Sequence, residues 1–507
     1  MSVELTVNGN VVVVADERLT LLDVLRGQCG LESVKDGCAP QGQCGCCTVL
    51  IDGVARVSCV TPVRRIAGRS VVTVEGLPEA ERASWAEAFV ATGGSQCGFC
   101  TPGIICRLSA VDEPSDAAKV DNALAAHLCR CTGWQTIVEA ISVRGEKRTF
   151  DAVMAQRRAT LEGGSPQRVA TDVVLGNGGF STDTAPADAL IAMRSTSGEW
   201  VLGETMQEVR ELAGKVQGRR TTVASAPPIA VPPGEWARTL RTSWVEPAHL
   251  ETEASWCEPG GEPSSLLANG GAFGAKLEGE LGAVAQRLST ESGRSVLAVY
   301  TREDSVRFGA KRPPLAIGMR RDGSGEVHVT RTEGVAASIK SVAPLLNVTE
   351  VDLVGPPTSA NLRGAGWVEA AILLASVRDG PDIVERASGA RAEAVVNPSG
   401  IHVTVNAGPV LDATTLRSYC VGAAHMAYSW VMSESIAVNP ESGEVQDLTI
   451  RSFGIVRAAD TPPIHITIRE TGGDAVNGSD AVFAAVAAAT WRHEKFVECW
   501  PVHSNQA

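Results

Sequence analysis

The 507-residue sequence lacks a surplus of positive charge, a long apolar run and an evident leader segment. Its 45 Lys and Arg are outnumbered by 58 Asp and Glu, and the resulting net charge of −13 argues against a general nucleic-acid binder, which needs a basic face. No apolar stretch approaches the roughly 20 residues that cross a bilayer. The first residues show no basic region followed by an apolar one. We therefore expect a cytoplasmic protein without a membrane span.

Cysteine is scarce over most of the chain. Of 14 cysteines, only Cys257, Cys420 and Cys499 lie beyond residue 131. A disulfide scaffold would spread its bridges along the chain that it staples, and disulfides are rare in the cytoplasm. The crowding of the other thiols into the first third therefore indicates a local inorganic site, because thiolates are soft ligands for iron–sulfur clusters, zinc or Cu(I).

The first cysteine group lies in the glycine-rich stretch GCAPQGQCGCC, which begins at Gly37. Its candidate ligands are Cys38, Cys44, Cys47 and Cys59. A C-x4-C-x2-C loop with a distant fourth cysteine is typical of plant-type [2Fe–2S] proteins. Here the first gap is one residue longer than that pattern, and Cys46 is an additional thiol. The glycines permit the unusual backbone angles and close approach that a cluster loop needs.

The second group combines QCGFC and LCRCTGW, a C-x2-C pair and a C-x-C pair separated by residues 101–128. Its candidate ligands are Cys97, Cys100, Cys129 and Cys131. The segments TPGIICRLSAVD and DAAKVDNALAAHLC between the pairs have small and apolar residues at helical spacing, which predicts two helices. A structural zinc site with four cysteines is the alternative, although the C-x-C pair is tight for a zinc ribbon.

In this order, the two motifs resemble the iron–sulfur portion of the molybdenum hydroxylases, the family of xanthine dehydrogenase, aldehyde oxidoreductase and carbon monoxide dehydrogenase. The resemblance covers residues 1–150 closely. It implies a β-grasp, ferredoxin-like [2Fe–2S] domain at 1–78 and a helical-bundle [2Fe–2S] domain at 79–150, with the two sets of candidate ligands each holding one [2Fe–2S] cluster. Because CGxCTV in the family aligns with Cys44 and Cys47, we expect Cys46 to be a bystander.

The remaining chain mixes strand-like and helical patterns, so the expected fold class is α+β multidomain. Residues 151–185 are polar and then glycine-rich, which predicts a linker. Two α+β regions, 186–395 and 396–507, resemble reduced molybdopterin domains. The predicted strands are Glu326–Thr330, Ile401–Val405 and Gln446–Ile450, and the predicted helices are Leu277–Leu288 and Leu416–Met432.

Several segments of these regions resemble the pterin-binding loops of the family. NGGAFGAK, at Asn269–Lys276, resembles its Gly-Gly-x-Phe-Gly-x-Lys loop, and LRGAGWVEAA resembles an arginine-bearing segment that follows it. The cofactor-binding residues that the resemblance implies are Gln96, Gly270, Gly271, Phe273, Gly274, Arg363 and Gly364. We assign no catalytic residue, because Ser479 stands where the family has a glutamate and Asp480 is one place off. Ser479 is instead predicted to be a helix N-cap.

The function that the resemblance implies is that of an iron–sulfur electron-transfer and structural subunit of a molybdenum hydroxylase complex. Electrons would pass from a molybdopterin centre on a catalytic partner, through the helical-domain cluster and then the ferredoxin-like cluster, to FAD on another subunit of a hetero-oligomer. Two alternatives stay open. The chain could carry the pterin itself and hydroxylate an aldehyde or N-heterocycle with Gly270–Gly274, Arg363–Gly366 and Asp480, or it could be a redox sensor or scaffold.

Overall fold

The structure is a computed structural model that describes residues 2–146, 149–215, 218, 221, 223–277, 279–378 and 381–503. Within these ranges α-helices and β-sheets are mixed along the chain. None of the described helices combines the length and the apolar character needed to traverse a bilayer.

The amino-terminal region is a five-stranded sheet with one short helix. Its elements are β1 (Val3–Val7), β2 (Asn10–Val14), α1 (Leu21–Asp23), β3 (Thr48–Ile51), β4 (Val54–Val57) and β5 (Ser70–Val72). The strand order is β2-β1-β5-β3-β4, with β1 antiparallel to β2 and parallel to β5. In β1 the side chains of Val3, Leu5 and Val7 are buried while Glu4 is exposed, as alternation along a half-buried strand requires.

A helical region follows the sheet. Its helices are α2 (Glu79–Thr92), α3 (Thr101–Ser109), α4 (Ala117–Leu124) and α5 (Gln135–Ser142). The two helices predicted between the cysteine pairs are confirmed as α3 and α4. Pro102 lies in the first turn of α3, where a missing N–H is tolerated, and the Asp116 carboxylate caps α4 by accepting from the amides of Ala118 and Lys119.

Residues 151–185 are packed structure, which corrects the expectation of a linker. They contain α6 (Ala152–Gly163), α7 (Thr171–Val174) and α8 (Ser181–Thr184). The polar residues that suggested a linker include Arg158 and Glu162, which form a fully buried ion pair at 3.0 Å. Arg158 also donates from Nε to the Val410 carbonyl oxygen at 3.1 Å and from Nη1 to the Val476 carbonyl oxygen at 2.8 Å. These bonds attach α6 to the carboxy-terminal part of the chain.

Three further sheets and their helices form the remainder, which we call the body (residues 186–503). The first part contains β6 (Leu190–Arg194), β7 (Trp200–Gly203), α9 (Met206–Ala213), β8 (Arg238–Thr242), β9 (Ala254–Cys257), α10 (Leu281–Ser292), β10 (Val296–Val299) and α11 (Arg302–Phe308). The second part contains β11 (Leu315–Met319), β12 (Gly325–Thr330), α12 (Val335–Lys340), β13 (Leu346–Val351), α13 (Trp367–Ser376), β14 (Asp382–Glu385), β15 (Arg391–Asn397), β16 (Gly400–Asn406), α14 (Ala413–Met432), β17 (Ile464–Ile468), α15 (Ser479–His493) and β18 (Cys499–Trp500). The strand orders are β7-β6-β10-β9, β13-β12-β11-β8-β18 and β14-β15-β16-β17.

Most of the elements predicted in the body are confirmed, and one is wrong. The strands at 326–330 and 401–405 lie within β12 and β16, and the helices at 277–288 and 416–432 overlap α10 and α14. Residues 446–450 form no strand, because the side chain of Gln41, in the amino-terminal region, hydrogen-bonds to their backbone. Gln41 donates from Nε2 to the Leu448 carbonyl oxygen at 2.8 Å and accepts from the Ile450 amide at 3.3 Å.

The start of α15 differs from the prediction that Ser479 is its N-cap. Gly478 occupies the N-cap position and Ser479 is the first helical residue. The carboxylate of Glu162 accepts from the amides of Gly478 at 3.1 Å and Ser479 at 2.8 Å. An anion from α6 thus satisfies the free amides of α15 and lies at the positive end of its dipole.

Replacing Glu162 tests this cap. In Glu162→Ala, Arg158 stays buried without its counter-charge and the amides of Gly478 and Ser479 lose their acceptor. We therefore expect the free energy of unfolding to fall by about 3–5 kcal/mol in urea titrations. The matched control is Glu291→Ala, which removes an exposed i,i+4 pair with Arg287 and should cost less than about 0.5 kcal/mol. Equal losses in the two variants would contradict the capping role.

Candidate metal centres

The first group of predicted ligands converges in a buried cage between the loop before β3 and the end of β4. Cys38, Cys44, Cys47 and Cys59 are all buried. The Cys38 thiol hydrogen-bonds to those of Cys44 and Cys59, and the Cys59 thiol also contacts that of Cys47. Contact with the Cys44 thiol holds the pKa of Cys38 well below its usual value. The same contacts raise the pKa of Cys44 and Cys59, so the thiolate is favoured at Cys38. The thiolate is the form that binds metal.

The additional residue of the Cys38–Cys44 gap is absorbed in a tight turn. Ala39 has a φ of 48°, and the Gln41 amide donates to Cys38 Sγ at 3.1 Å. An amide that donates to a ligand sulfur is the second-layer contact expected around a cluster. A Cβ on Gly37 would come within 3.1 Å of Cys44 Sγ and 3.2 Å of Cys46 Sγ, so the absence of a side chain there lets the loop close around the sulfurs.

Cys46 is fully buried and lies beside the cage. Its thiol contacts that of Cys44, and it is close enough to Cys97 and Cys100 of the second group for their charges to interact. Burial and these neighbours, opposed by the Cys44 contact, leave its pKa raised. Cys46 therefore lies between the two groups.

The second group of predicted ligands also converges. Cys97 and Cys100 precede α3, and Cys100 is its N-cap. Cys131 Sγ lies 3.5 Å from Cys97 Sγ, and the thiols of Cys100 and Cys129 hydrogen-bond to each other. This last contact lowers the pKa of Cys129 to about 6. Contact with Cys129 and burial raise the pKa of Cys100, so the thiolate of this pair is favoured at Cys129.

The two groups are joined directly through backbone. The Leu128 amide, next to Cys129, donates to the Cys44 carbonyl oxygen at 2.9 Å. A Cβ on Gly103 of α3 would come within 2.6 Å of the Gly45 carbonyl oxygen and 2.7 Å of that of Cys46. Only glycine allows α3 to approach the first loop this closely, so the sequence itself fixes the two groups side by side.

The paired thiols fit a binuclear cluster. A [2Fe–2S] cluster takes four thiolates, two on each iron, and the second group forms two sulfur pairs of that kind. A zinc site would instead gather all four sulfurs around one point, whereas the sulfurs of the second group contact each other as two pairs.

The predicted pterin loops meet each other and the second group. The Arg363 amide donates to the Phe273 carbonyl oxygen at 2.9 Å, and a Cβ on Gly271 would come within 3.3 Å of Cys97 Sγ and 3.5 Å of Cys131 Sγ. Gly274 has a φ of 85° and Gly364 a φ of 70°, backbone angles that favour glycine. The space enclosed by these loops is small. It amounts to about 10 Å³ beside Gly270 and Cys131 and about 40 Å³ beside Phe273 and Arg363.

The polar residues of these loops are used by the protein itself. Gln96 donates from Nε2 to Ser418 Oγ at 3.0 Å. Arg363 donates from Nε to Asp480 Oδ1 at 2.9 Å and from Nη2 to Ser479 Oγ at 2.6 Å. The structure thus brings Arg363 together with the two residues that stand near the position of the family's glutamate.

Sequence inspection missed the strongest ion pair beside the second group. Arg130, between Cys129 and Cys131, is bidentate to Glu434, with distances of 2.5 and 2.7 Å, and both side chains are buried. Arg130 also donates from Nε to the Pro247 carbonyl oxygen at 3.1 Å. A buried arginine inside a C-x-C motif needs a counter-charge, so the sequence predicts that Arg130 has an acidic partner. It does not predict which residue that is, because Glu434 lies 304 residues away.

Two serine variants test the ligand assignment of the first group. We expect Cys44→Ser to lower the iron content from about four to about two per chain, because one cluster loses a ligand. Cys46→Ser should keep about four iron and both electron paramagnetic resonance signals. Iron and labile-sulfide analysis of the two purified proteins makes the comparison. The assignment is wrong if Cys46→Ser loses a cluster that Cys44→Ser retains.

Comparison with known proteins bears on the first third of the chain. A [2Fe-2S] binding domain model matches residues 73–142. Over 145 residues the chain is 42% identical to the nicotine 6-hydroxylase small subunit of Paenarthrobacter nicotinovorans, which covers 28% of this chain and 87% of that protein. Over 147 residues it is 42% identical to the aldehyde oxidoreductase of Megalodesulfovibrio gigas, covering 27% of this chain but only 16% of that protein.

The rest of the chain is similar to known proteins in fold. The structure of aldehyde oxidoreductase from Desulfovibrio gigas matches 100% of this chain and 99% of that chain, with a TM-score of 0.70 and 14% sequence identity. At that identity the likeness concerns the fold alone, a mixed α/β multidomain arrangement. The 42% identity over 87% of the nicotine 6-hydroxylase small subunit, together with the match of the [2Fe-2S] binding domain model, shows the family to which the chain belongs. The chain belongs to the molybdenum hydroxylase family of oxidoreductases.

Proposed function

We propose that the chain is the iron–sulfur electron-transfer and structural subunit of a molybdenum hydroxylase complex. In it, electrons from a molybdopterin centre pass through two [2Fe–2S] clusters to a flavin on a partner. The observation that carries the proposal is the pair of buried four-cysteine cages joined by the hydrogen bond from Leu128 to the Cys44 carbonyl oxygen. When bound, [2Fe–2S] clusters supply one-electron transfer at a potential set by their surroundings.

In this proposal each cage has its own ligands and its own region of the chain. Residues 1–78 supply the first set and residues 79–150 the second. The ligands are Cys38, Cys44, Cys47 and Cys59 for one cluster and Cys97, Cys100, Cys129 and Cys131 for the other. The backbone contact between the cages keeps them at a fixed separation, which a relay of single electrons requires.

The body, with the helical segment 151–185, would cover the cages and hold them rigid. Arg302 of α11 is fully buried and donates from Nη2 to the carbonyl oxygens of Gly37 at 2.5 Å and Leu250 at 2.7 Å. Arg451 donates from Nε to the Gln43 carbonyl oxygen at 3.0 Å and from Nη2 to that of Ala125 at 2.9 Å. These bonds attach both cluster regions to the body.

The size of the enclosed spaces supports placing molybdopterin on a partner. Sites for ligands of cofactor size are about 300–1,000 Å³. The spaces of about 10 and 40 Å³ at the glycine-rich and arginine loops do not fit the pterin in this arrangement. We therefore derive no step through it, and we assign the substrate-oxidising centre to another chain.

A second candidate function is favoured by the fold. The likeness to aldehyde oxidoreductase extends along that whole chain, so this chain could carry the pterin itself and hydroxylate an aldehyde or N-heterocycle. Asp480 would then be the candidate base, although in the structure its carboxylate is engaged by Arg363 at 2.9 Å.

Metal analysis separates the two candidates. For the electron-transfer subunit we expect about four iron and four labile sulfide per purified chain, no molybdenum, and molybdopterin- and FAD-containing partners after co-purification from the native source. Stoichiometric molybdenum in the single chain would overturn the proposal. Turnover by the chain alone that Asp480→Ala abolishes, while the exposed control Asp460→Ala does not, would establish the second candidate.

The Arg130–Glu434 pair gives a test of the relay itself. In Glu434→Gln the Arg130 cation beside Cys129 and Cys131 loses its counter-charge. We expect the reduction potential of the second cluster to rise by tens of millivolts, on the order of a partly screened unit charge. The control, Asp382→Asn, unpairs the distant Arg492 and should leave both potentials unchanged. Redox titration followed by electron paramagnetic resonance measures both, and a shift confined to the first cluster would contradict the assignment.

A further inference from the structure

Two histidines that are far apart in the sequence lie side by side on neighbouring strands of the last sheet. The strands β16 and β17 are parallel, and their register pairs His402 with His465. The two imidazole rings are stacked, with their centroids 4.7 Å apart and an angle of 18° between their planes. The fold therefore creates a histidine pair that the positions of these residues in the sequence do not suggest.

The face of the sheet that carries the pair is accessible from solvent. Ile401 of β16 is buried and His402 lies on the opposite face, where its cross-strand neighbour on β15 is Val395, which is 46% exposed. On β17, which is an edge strand, Ile464 is buried and His465 is exposed. An ion in solution can therefore reach both rings.

The tautomer of His402 is set by two neighbouring residues. Asn397 Oδ1 accepts from the Ser399 amide at 2.8 Å and from the Ser399 hydroxyl at 2.6 Å. The hydroxyl has only one proton, so its oxygen accepts from Nε2 of His402 at 2.9 Å. A neutral imidazole with its proton on Nε2 has its free lone pair on Nδ1. Metal-binding histidines are oriented in the same way, because the nitrogen that does not bind the metal donates to a polar group.

The lone pairs of the two rings are available to an ion. Within the ranges that the structure describes, neither Nδ1 of His402 nor the ring nitrogens of His465 hydrogen-bond to another residue. Neutral imidazole is a good ligand for divalent zinc, nickel and copper. An ion that binds two nitrogens at about 2.1 Å each holds them about 3.3 Å apart. Rings with centroids 4.7 Å apart reach that separation through small side-chain rotations.

We propose that His402 and His465 bind one divalent transition-metal ion, of the Ni²⁺ or Zn²⁺ type, across β16 and β17. The protein ligands are Nδ1 of His402 and one ring nitrogen of His465, and water completes the coordination. The ion ties the edge strand β17 to β16. It stabilises the folded chain, because the unfolded chain does not hold the two rings together. The site lies outside both cysteine cages and is independent of the proposed function.

Calorimetric titration of the untagged, cluster-loaded chain with NiCl₂ tests the site. We expect one Ni²⁺ per chain and no binding of Mg²⁺, which prefers oxygen ligands. His402→Gln and His465→Gln should each weaken Ni²⁺ binding by more than about tenfold, because one of two protein ligands is lost. Ser399→Ala should weaken it by about tenfold, because the tautomer of His402 is no longer fixed. The matched control is His493→Gln, an exposed histidine at the end of α15, which should bind Ni²⁺ as the parent does.

Thermal unfolding gives a second measurement. Saturating Ni²⁺ should raise the Tm of the parent and of His493→Gln but not that of His402→Gln or His465→Gln. All variants should keep the iron content of the parent, which separates a lost metal site from a lost fold.

Three results would overturn the site: no Ni²⁺ binding by the parent, parental affinity in His402→Gln, His465→Gln or Ser399→Ala, or equal weakening in His493→Gln. Uptake of Ni²⁺ with a matching loss of iron would also overturn it, because the ion would then be in the cages. A chain that binds Ni²⁺ at the histidine pair but assembles no clusters leaves the site intact and overturns the electron-transfer proposal.

Discussion

The burial of charge and of thiolate character is the constraint on which the rest of the structure depends. Eight thiols in two cages are removed from water, and a thiolate in an apolar setting is costly unless donors and positive charges surround it. The chain meets this requirement locally with backbone amides such as that of Gln41, and with the α3 terminus at Cys100. It meets it at long range with Arg302 of the body, which is buried and donates to the Gly37 carbonyl oxygen. Polar contacts therefore help to join the first third of the chain to the rest.

Two buried ion pairs lie where separate segments meet. The pair of Arg130 and Glu434 joins the C-x-C motif to the chain just after α14. The pair of Arg158 and Glu162 lies within α6, and Glu162 also accepts from the amides at the start of α15. Such pairs add little net stability compared with apolar contacts, but removing one partner is costly. They therefore contribute mainly to the specificity of the fold, because a segment packed in the wrong place would leave a buried charge without its partner.

The sequence predicts the local part of this structure well and the long-range part poorly. Some features depend only on neighbouring residues, namely the cysteine spacing, the alternation in β1 and the helical pattern of α3 and α4. The structure has β1, α3 and α4 where these patterns predict them. The partner of Arg130 and the buried role of α6 depend on residues hundreds of positions away. Residues 446–450 show the same limit, since their alternating pattern resembles a strand but their backbone is bound by the side chain of Gln41.

The glycine-rich loop shows how one local feature can serve different purposes. Gly271 lies against the sulfurs of Cys97 and Cys131, where a side chain would press on the cage, and Gly274 has a backbone angle that side chains disfavour. A loop of this kind brings backbone close to a partner, whether the partner is a cofactor or another part of the chain. Here Arg363 of the neighbouring loop bonds to Ser479 and to Asp480. The motif therefore predicts only that its backbone lies close to a partner. The enclosed volume and the pairing of the nearby charges decide whether that partner is a cofactor or another part of the chain.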